Sequence, residues 1–528
     1  AATLGWTGRY ENMNNMRVST NGGLVTENWF DLNASRYTAS STLQRMELLK
    51  TGYMGTLSLG WDNYLFLELT GRQERSSTLK DQSFFYPSAN LSFLFSNAFR
   101  MPAWWNHGKL RLSYGVVGNA PETYAANIIY EQGSDNGFTW NYVPSSWGNA
   151  NIRPEKKYEY EIGFESKFLN NRLGFDVSYY NNRVKDQILS TPQPSTSGVK
   201  YVLMNVGEVA NEGWDISVSA TPVLTKNFRW DLTANYGIYR NKVVKLADGV
   251  PYLEISNIGG GGAKIQAVEG RPMGDIYVQV PQMNENGEYL VSDKGLYMNQ
   301  TELQRVGNIN PDGVGGLFSS FSYKNIFLDF SIDFRIGGDV INEMYQYSTA
   351  SGLTPESLQF RDTEHGGLSY YYPGNNNASG VPVQVDPSLG AGPNGETVYH
   401  DGVILPGVVA STGEKNTRII PAGYYYNQTY NWGTQPEQLT YRHSVFDNSY
   451  VKLRELTIGY QFPEKLISKL GMTRLSVSVF GRNLFYFYKA LKNYDAESSV
   501  GTSWASQAVV GGSTTATRNF GVSLRASF

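Results

Sequence analysis

Apolar and polar residues alternate with a period of two along most of this chain, which places successive side chains on opposite faces of an extended strand. Between residues 158 and 168, Tyr158, Tyr160, Ile162, Phe164 and Phe168 share one face, while Glu159, Glu161, Gly163, Glu165 and Lys167 share the other. After Asn170-Asn171 the pattern resumes, with Leu173, Phe175, Val177 and Tyr179 set against Gly174, Asp176, Ser178 and Tyr180. The short polar insert marks a tight hairpin. Equivalent pairs flank Asp62-Asn63, the segment 224–227 and Lys324-Asn325. Each run alternates over roughly nine or more residues, the length of a tilted membrane crossing.

The connectors carry a second pattern. Short turns alternate strictly with long segments rich in Gly, Asn and Pro, near 11–42, 76–84, 118–155, 184–206, 244–314, 339–450 and 486–515. One end of the predicted sheet is short-turned and the other long-looped, the asymmetry of an outer-membrane barrel with short periplasmic turns and long extracellular loops. The sequence predicts an all-β fold, a transmembrane antiparallel up-and-down β-barrel contributing about 14 strands. The segments 244–314 and 339–450 would be its large extracellular loops. On the short side, Trp104, Trp105, Phe462 and Leu466 suit the membrane interface. In the last ten residues, Phe520, Val522, Leu524, Ala526 and Phe528 alternate with Gly521, Ser523, Arg525 and Ser527, as in a barrel strand ending in an aromatic residue.

Composition narrows this picture. The 528 residues include no cysteine, 44 Lys+Arg against 47 Asp+Glu for a net charge of −3, 17% charged residues and 14% aromatics. Sparse charge, and no basic run, leave nothing to neutralise a nucleic-acid backbone. Without cysteine there is no disulfide scaffold, CxxC redox site or thiolate metal site. No stretch approaches the ~18 consecutive apolar residues of a membrane helix. A mean hydropathy of −0.38 is compatible with barrel strands, whose two faces average out. Ala1-Ala2-Thr3-Leu4-Gly5-Trp6 has no leader pattern and reads as the inside of a strand. The expectation is the C-terminal part of a longer barrel.

Catalytic chemistry is not apparent. His107, His365, His400 and His443 lie far apart, so the sequence offers no histidine cluster for a metal. Gly259 to Gly262 precede Ala263-Lys264-Ile265, without the Ser/Thr of a phosphate-binding loop, and read as a flexible loop. No GxSxG elbow is present, and Glu159, Glu161, Glu165, Asp329 and Asp333 are spaced to line a lumen. No catalytic residue, cofactor or metal site is expected. The long loops concentrate rings at Trp140, Tyr142 and Trp147, at 370–372, at 424–426, and at Tyr430 and Trp432. Trp140, Tyr371, Tyr425 and Trp432 are the candidate ligand or partner contacts, because exposed rings stack on sugars or fill a partner's pocket. Packing of the loops against one another is the competing role for each.

The residues also carry a likeness. YVKLRELTIGYQFP (450–463), GRNLFYFYKALKNYDAE (481–497), NVGEVANEGWDISVSATPV (205–223), EGRPMGDIY (269–277), VGNINPD (306–312) and LRLSYGVVGN (110–119) occur in the order of similar segments in the SusC/RagA family of TonB-dependent outer-membrane transporters of Bacteroidota, which this chain resembles nearly end to end. The usual Gly-Tyr-Asp-Pro-Glu reads Asn493-Tyr494-Asp495-Ala496-Glu497 here, without the proline. Many members carry an Asp-rich calcium-like run before the position of Val306. Here Asn284-Glu285-Asn286-Gly287-Glu288 and Ser292-Asp293-Lys294-Gly295-Leu296 lack the carboxylates for it.

The resemblance implies nutrient import. A SusC-like barrel of 22 strands sits in outer-membrane lipid and pairs with a SusD-like surface lipoprotein as lid. The TonB complex acts through a plug that precedes the barrel, and the cargo is an oligosaccharide or a peptide. On that reading residues 1–528 supply barrel wall and external loops and rely on an N-terminal remainder for plug, TonB-contacting segment and first strands. The alternatives are a passive 14-strand outer-membrane channel and, further off, a surface enzyme or adhesin.

Overall fold

The computed structural model describes residues 1–80, 83–135, 138–194, 196, 198–431, 441–512 and 516–528. Fourteen strands follow one another in a 15-stranded sheet, with the two-residue strand Ser146–Trp147 pairing off the path. In chain order they are β1 (Ala2–Leu24), β2 (Ser35–Trp61), β3 (Leu65–Ser76), β4 (Ser83–Phe93), β5 (Trp105–Asn119), β6 (Glu155–Phe168) and β7 (Leu173–Pro192). They continue as β8 (Tyr201–Leu224), β9 (Phe228–Lys245), β10 (Gly313–Tyr323), β11 (Ile326–Ile336), β12 (Tyr450–Gln461), β13 (Arg474–Lys489) and β14 (Asn519–Ser527). The fold is the expected all-β meander, and among the described residues the fourteen strands of its main path agree with the expected number of about 14.

By contact density the chain divides into two units, residues 1–215 with 241–251, and residues 216–240 with 252–528. In the first unit the pairing Leu110↔Phe164, Leu112↔Ile162 and Tyr114↔Tyr160 puts apolar residues side by side on one face, with Arg111 opposite Gly163 and Ser113 opposite Glu161 on the other. The β6–β7 register adds Val177↔Phe164 and Tyr179↔Ile162 to the apolar row. Asp62, Asn63, Asn170 and Asn171 all have positive φ, the backbone that tight hairpins demand and that Asn and Asp tolerate best.

The second unit repeats the rule. Leu328↔Ile458 and Phe330↔Leu456 join the apolar face while Asp329 and Asp333 lie on the polar one. The last strand pairs Val477↔Leu524, Val479↔Val522 and Gly481↔Phe520. Leu524 is 69% exposed and Phe520 73%, as befits a face meant for lipid rather than for a protein core.

Connector lengths depart from expectation at two places. The segment 11–42 belongs mostly to β1 and β2, whose ladder runs unbroken from Ala2↔Leu57 to Ser19↔Ser40. The segment 184–206 is largely the ends of β7 and β8. Polar residues on both faces hide a strand from a hydrophobicity pattern once it leaves the lipid, although its main-chain hydrogen bonds continue. The segments 244–314 and 339–450 do lie between strands of the sheet, but they are folded: residues 252–308 form a four-stranded antiparallel sheet of Tyr252–Ile258, Ala263–Val268, Asp275–Val278 and Gln304–Asn308.

Candidate functional site

The second unit carries a core away from the fourteen-strand sheet. Ile258, Ile265, Ile276 and Val278 of the small sheet meet Ile341, Tyr441, Val445 and Val509, so residues from three successive long connectors bury one another. Main-chain pairing ties the same connectors: Asp339–Asn342 lies between Val445–Asp447, antiparallel, and Val509–Val510, parallel. The four glycines 259–262 are not a loose loop but the tight connection within the small sheet. Gly259 has φ +58° and lies directly beneath the Tyr441 hydroxyl, where a Cβ would collide with it.

Two sequence segments explain themselves here. Asp275, fully buried, forms ion pairs with Arg271 at 3.0 Å and Arg305 at 2.8 Å and accepts a hydrogen bond from Asn308 Nδ2 at 2.9 Å. Asn308 N in turn donates to Asp339 Oδ2 at 2.9 Å, and Asn310 Nδ2 to Met273 O at 2.7 Å. A buried carboxylate is tolerable only with this degree of pairing. The segments 269–277 and 306–312 are thus a single clamp, holding the base of the loop layer. Nothing in the period-two pattern pointed to Asp275. Burial pushes the carboxyls of Asp339 and Glu343 above their ordinary range.

The candidate rings fall into different roles. Tyr371 ends the strand Leu368–Tyr371, paired with Val383 and Val398, and is half-buried. This strand belongs to a four-stranded sheet that ends on Ile420–Pro421 and leads into the helix Ala422–Tyr430. Tyr425 lies on that helix. It packs beside the buried cluster of Leu296, Val403, Leu405 and Ile420, with its ring centroid 5.0 Å from that of Tyr426, and burial pushes its phenol well above the ordinary range. Tyr426 donates to Glu356 O at 2.8 Å, and Tyr430 packs 5.6 Å from His443. The 424–426 run and Tyr430 therefore pack within the loop layer. Trp432 lies outside the described residues. Trp140, in the first unit, stands on the hairpin Glu131–Asp135/Phe138–Tyr142, its indole over Gly133, and is 48% exposed beside Phe138 at 78%.

The histidines are likewise absorbed locally. His365 Nδ1 is 2.7 Å from Asp362 within one turn, and His400 Nδ1 is 2.8 Å from Ser369 Oγ. Asn284 Oδ1 accepts from the main-chain N–H of Asn286 and Glu288, and Asp293 accepts from Ser411 at 2.6 Å. These acceptors fasten turns.

The polar face of each unit is an ionic lattice. In the second, Arg454 bridges Asp333 at 2.6 Å and Glu497 at 2.5 Å and reaches Asn483 at 2.8 Å, while buried Lys452 also pairs with Glu497. Asp495 accepts from Tyr486 at 2.5 Å and from Ala516 N at 2.9 Å. Asp495 and Glu497 thus pin the connector after β13 to the polar wall.

An amphipathic sheet with one apolar, lipid-suited face, a charged opposite face and folded loops at one end defines an outer-membrane β-barrel. The chain belongs to the family described as TonB dependent receptor-like, beta-barrel, whose model matches residues 2–276. Members are receptors and transporters of the outer membrane, not enzymes. Among similar proteins, TonB-dependent receptor P3 of Formosa agariphila is 22% identical over 494 residues, covering 85% of this chain and 42% of that protein. TonB-dependent receptor SusC of Bacteroides thetaiotaomicron is 27% identical over 256 residues, covering 42% of this chain and 24% of SusC. The structure of the RagAB peptide transporter superposes with a TM-score of 0.70 at 17% identity, covering 99% of this chain and 52% of that one. The chain thus spans less than half the length of these curated relatives.

Proposed function

We propose that this chain forms part of the wall and the external loop layer of a SusC-like transporter that imports oligosaccharides or peptides across the outer membrane, driven by the TonB complex and covered by a SusD-like surface lipoprotein. The observation that carries the reading is the folded layer built by the connectors 246–312, 337–449 and 490–518. Connectors above ~15 residues are usually functional or disordered, and these bury a shared core. Such a layer supplies a firm seat for a lid and one side of a cargo chamber. On this reading residues 244–314 and 339–450 face the cell exterior, and Trp140, Tyr371, Tyr425 and Trp432 remain the candidate rings for a partner or cargo, of which Trp140 is the most open of the described ones.

The test is uptake of labelled oligosaccharide and peptide pools by cells carrying the full-length protein, with and without TonB, together with co-purification of the lipoprotein. Uptake that disappears without TonB, and a lipoprotein that no longer co-purifies when residues 360–430 are deleted, are the expected results. Uptake indifferent to TonB would instead mark a passive channel.

A further inference from the structure

We infer that the turn between β4 and β5, residues 94–104, is a seat for the headgroup of a phospholipid in the inner leaflet of the outer membrane. Phe99, Arg100 and Trp104 form the seat, standing on an aromatic platform at the short-turned end of the first unit. What the barrel imports does not enter; the site needs only an outer-membrane barrel with its short turns toward the periplasm.

The turn is folded onto the outside of the wall. In β5, Gly108, Leu110 and Leu112 lie opposite Ser166, Phe164 and Ile162 of β6, on the apolar face. The helical turn Phe95–Ala98 lays the Phe95 ring over Gly108, where a Cβ would fall 2.1 Å from it. Phe95 stacks on Phe164 at 6.1 Å and meets Trp105 edge-on at 5.5 Å, while Trp104 stacks on Phe168 at 5.9 Å. The Trp105 indole is already paired, donating to Ser166 Oγ at 2.5 Å and to His107 O at 3.0 Å. Hydrogen bonds fix both ends to the neighbouring turns: Leu94 N donates to Tyr64 O at 2.7 Å, Asn97 Nδ2 to Asn63 O at 3.0 Å, and Leu169 N to Trp104 O at 2.7 Å. Since β4, β5 and β6 each have a sheet neighbour on both sides, this outward face meets lipid and not another part of the wall.

The groups left open on the platform suit a phosphodiester carrying acyl chains. Phe99 is 63% exposed and Trp104 53%, and Arg100 between them is exposed without an ion-pair partner among the described residues. No Asp or Glu occurs from Ser83 to Ala120. Across this turn and the adjoining turns 62–64 and 169–172, Arg100 and Arg172 stand against Asp62 alone. Tryptophan settles at headgroup depth, and a guanidinium at that depth takes phosphate oxygens with two donors at once. A phospholipid therefore pairs the charge while its acyl chains cover Phe99 and Trp104. A neutral glyceride would cover the rings and leave Arg100 without a partner.

The experiment is native mass spectrometry of the full-length protein, purified in maltoside detergent and titrated with dioleoyl phosphatidylglycerol or, separately, with dioleoylglycerol. The wild type retains phosphatidylglycerol and not the glyceride. Arg100→Gln lowers the affinity about tenfold or more, the loss expected on removing a charged hydrogen-bonding partner, and Arg100→Lys restores part of it. The paired exchange Phe99→Ala with Trp104→Ala lowers it as well. The heat-modifiable gel shift of Arg100→Gln stays at the wild-type temperature, which separates lost binding from lost folding. Equal phosphatidylglycerol retention in wild type and Arg100→Gln, or equal retention of the glyceride by the wild type, would overturn the inference. So would a change in the number of protein copies per particle in Arg100→Gln with lipid retention unaltered, which would mark a protein interface.

Discussion

Arg111 of β5 reaches across the whole width of β6 to Asp176 of β7, donating from Nη2 at 2.5 Å and Nη1 at 3.2 Å. It can do so because the residue it crosses is Gly163, paired directly opposite Arg111, where a Cβ would fall 2.7 Å from the guanidinium Nε. Three adjacent strands are stitched by one side chain, and the missing side chain in the middle is as necessary as the charges at the ends.

Gly163→Val should therefore displace Arg111 and cost more than Arg111→Ala. The pair is partly solvated, so the alanine exchange is expected to cost only about 1 kcal/mol. The midpoint of the heat-modifiable gel shift measures both. A valine variant as stable as wild type would show that the crossing is incidental.

Leu524→Arg places a guanidinium on the apolar face of the last strand, between Val522 and Ala526. At a bilayer midplane this costs ~2–4 kcal/mol. Outer-membrane abundance should fall for this variant and for deletion of Phe528, while Arg525→Leu, on the polar face, should be tolerated. Equal abundance of the two Leu/Arg exchanges would contradict the assigned facing.

Tyr426 is 7% exposed and donates its hydroxyl to Glu356 O, whereas Trp140 is half exposed. Tyr426→Ala should cost the loop layer about 3–5 kcal/mol, as for large aromatic truncations. It should open residues 355–430 to protease without altering the gel shift of the barrel. Trp140→Ala should leave both readouts unchanged and act, if at all, on partner or cargo binding.

His443 sits in the loop layer against Tyr430, and burial, reinforced by Arg442, holds its imidazole below the ordinary value of 6.5. The unfolded layer therefore binds this proton more readily than the folded one. The contribution of His443 is fully present above pH 6.5 and is lost as pH falls through the lowered folded value. Asp339 and Glu343 act in the opposite sense, because protonation relieves their buried charge. The difference between wild type and His443→Gln in protease resistance of the layer, followed from pH 7.5 to 5, isolates the imidazole: wild type should lose resistance more steeply.

The strands in lipid were legible because burial on one side only enforces a strict period of two, as in Tyr158 to Phe168. The loop layer was not. Its core joins Ile258, Ile341, Tyr441 and Val509, residues from connectors far apart in sequence, and no local period announces such a meeting. The same holds for the rings at 424–426, whose packing beside Leu405 and Ile420 depends on residues that no local period joins to them. Asp275 and Glu497 were visible only as parts of recognisable segments, since pairing with Arg305 or Arg454 is a property of the folded chain.

At ~3.3 Å per residue the 27 residues of β2 span about 90 Å, while a tilted crossing of the membrane uses only ~9–11 residues. The rest is a stiff ribbon whose rungs are main-chain hydrogen bonds, paired from Asn12↔Glu47 outward to Ser19↔Ser40. Most side chains along this stretch are exposed, so up to the tip at residues 25–34 the hairpin is held by its main-chain ladder rather than by a packed core.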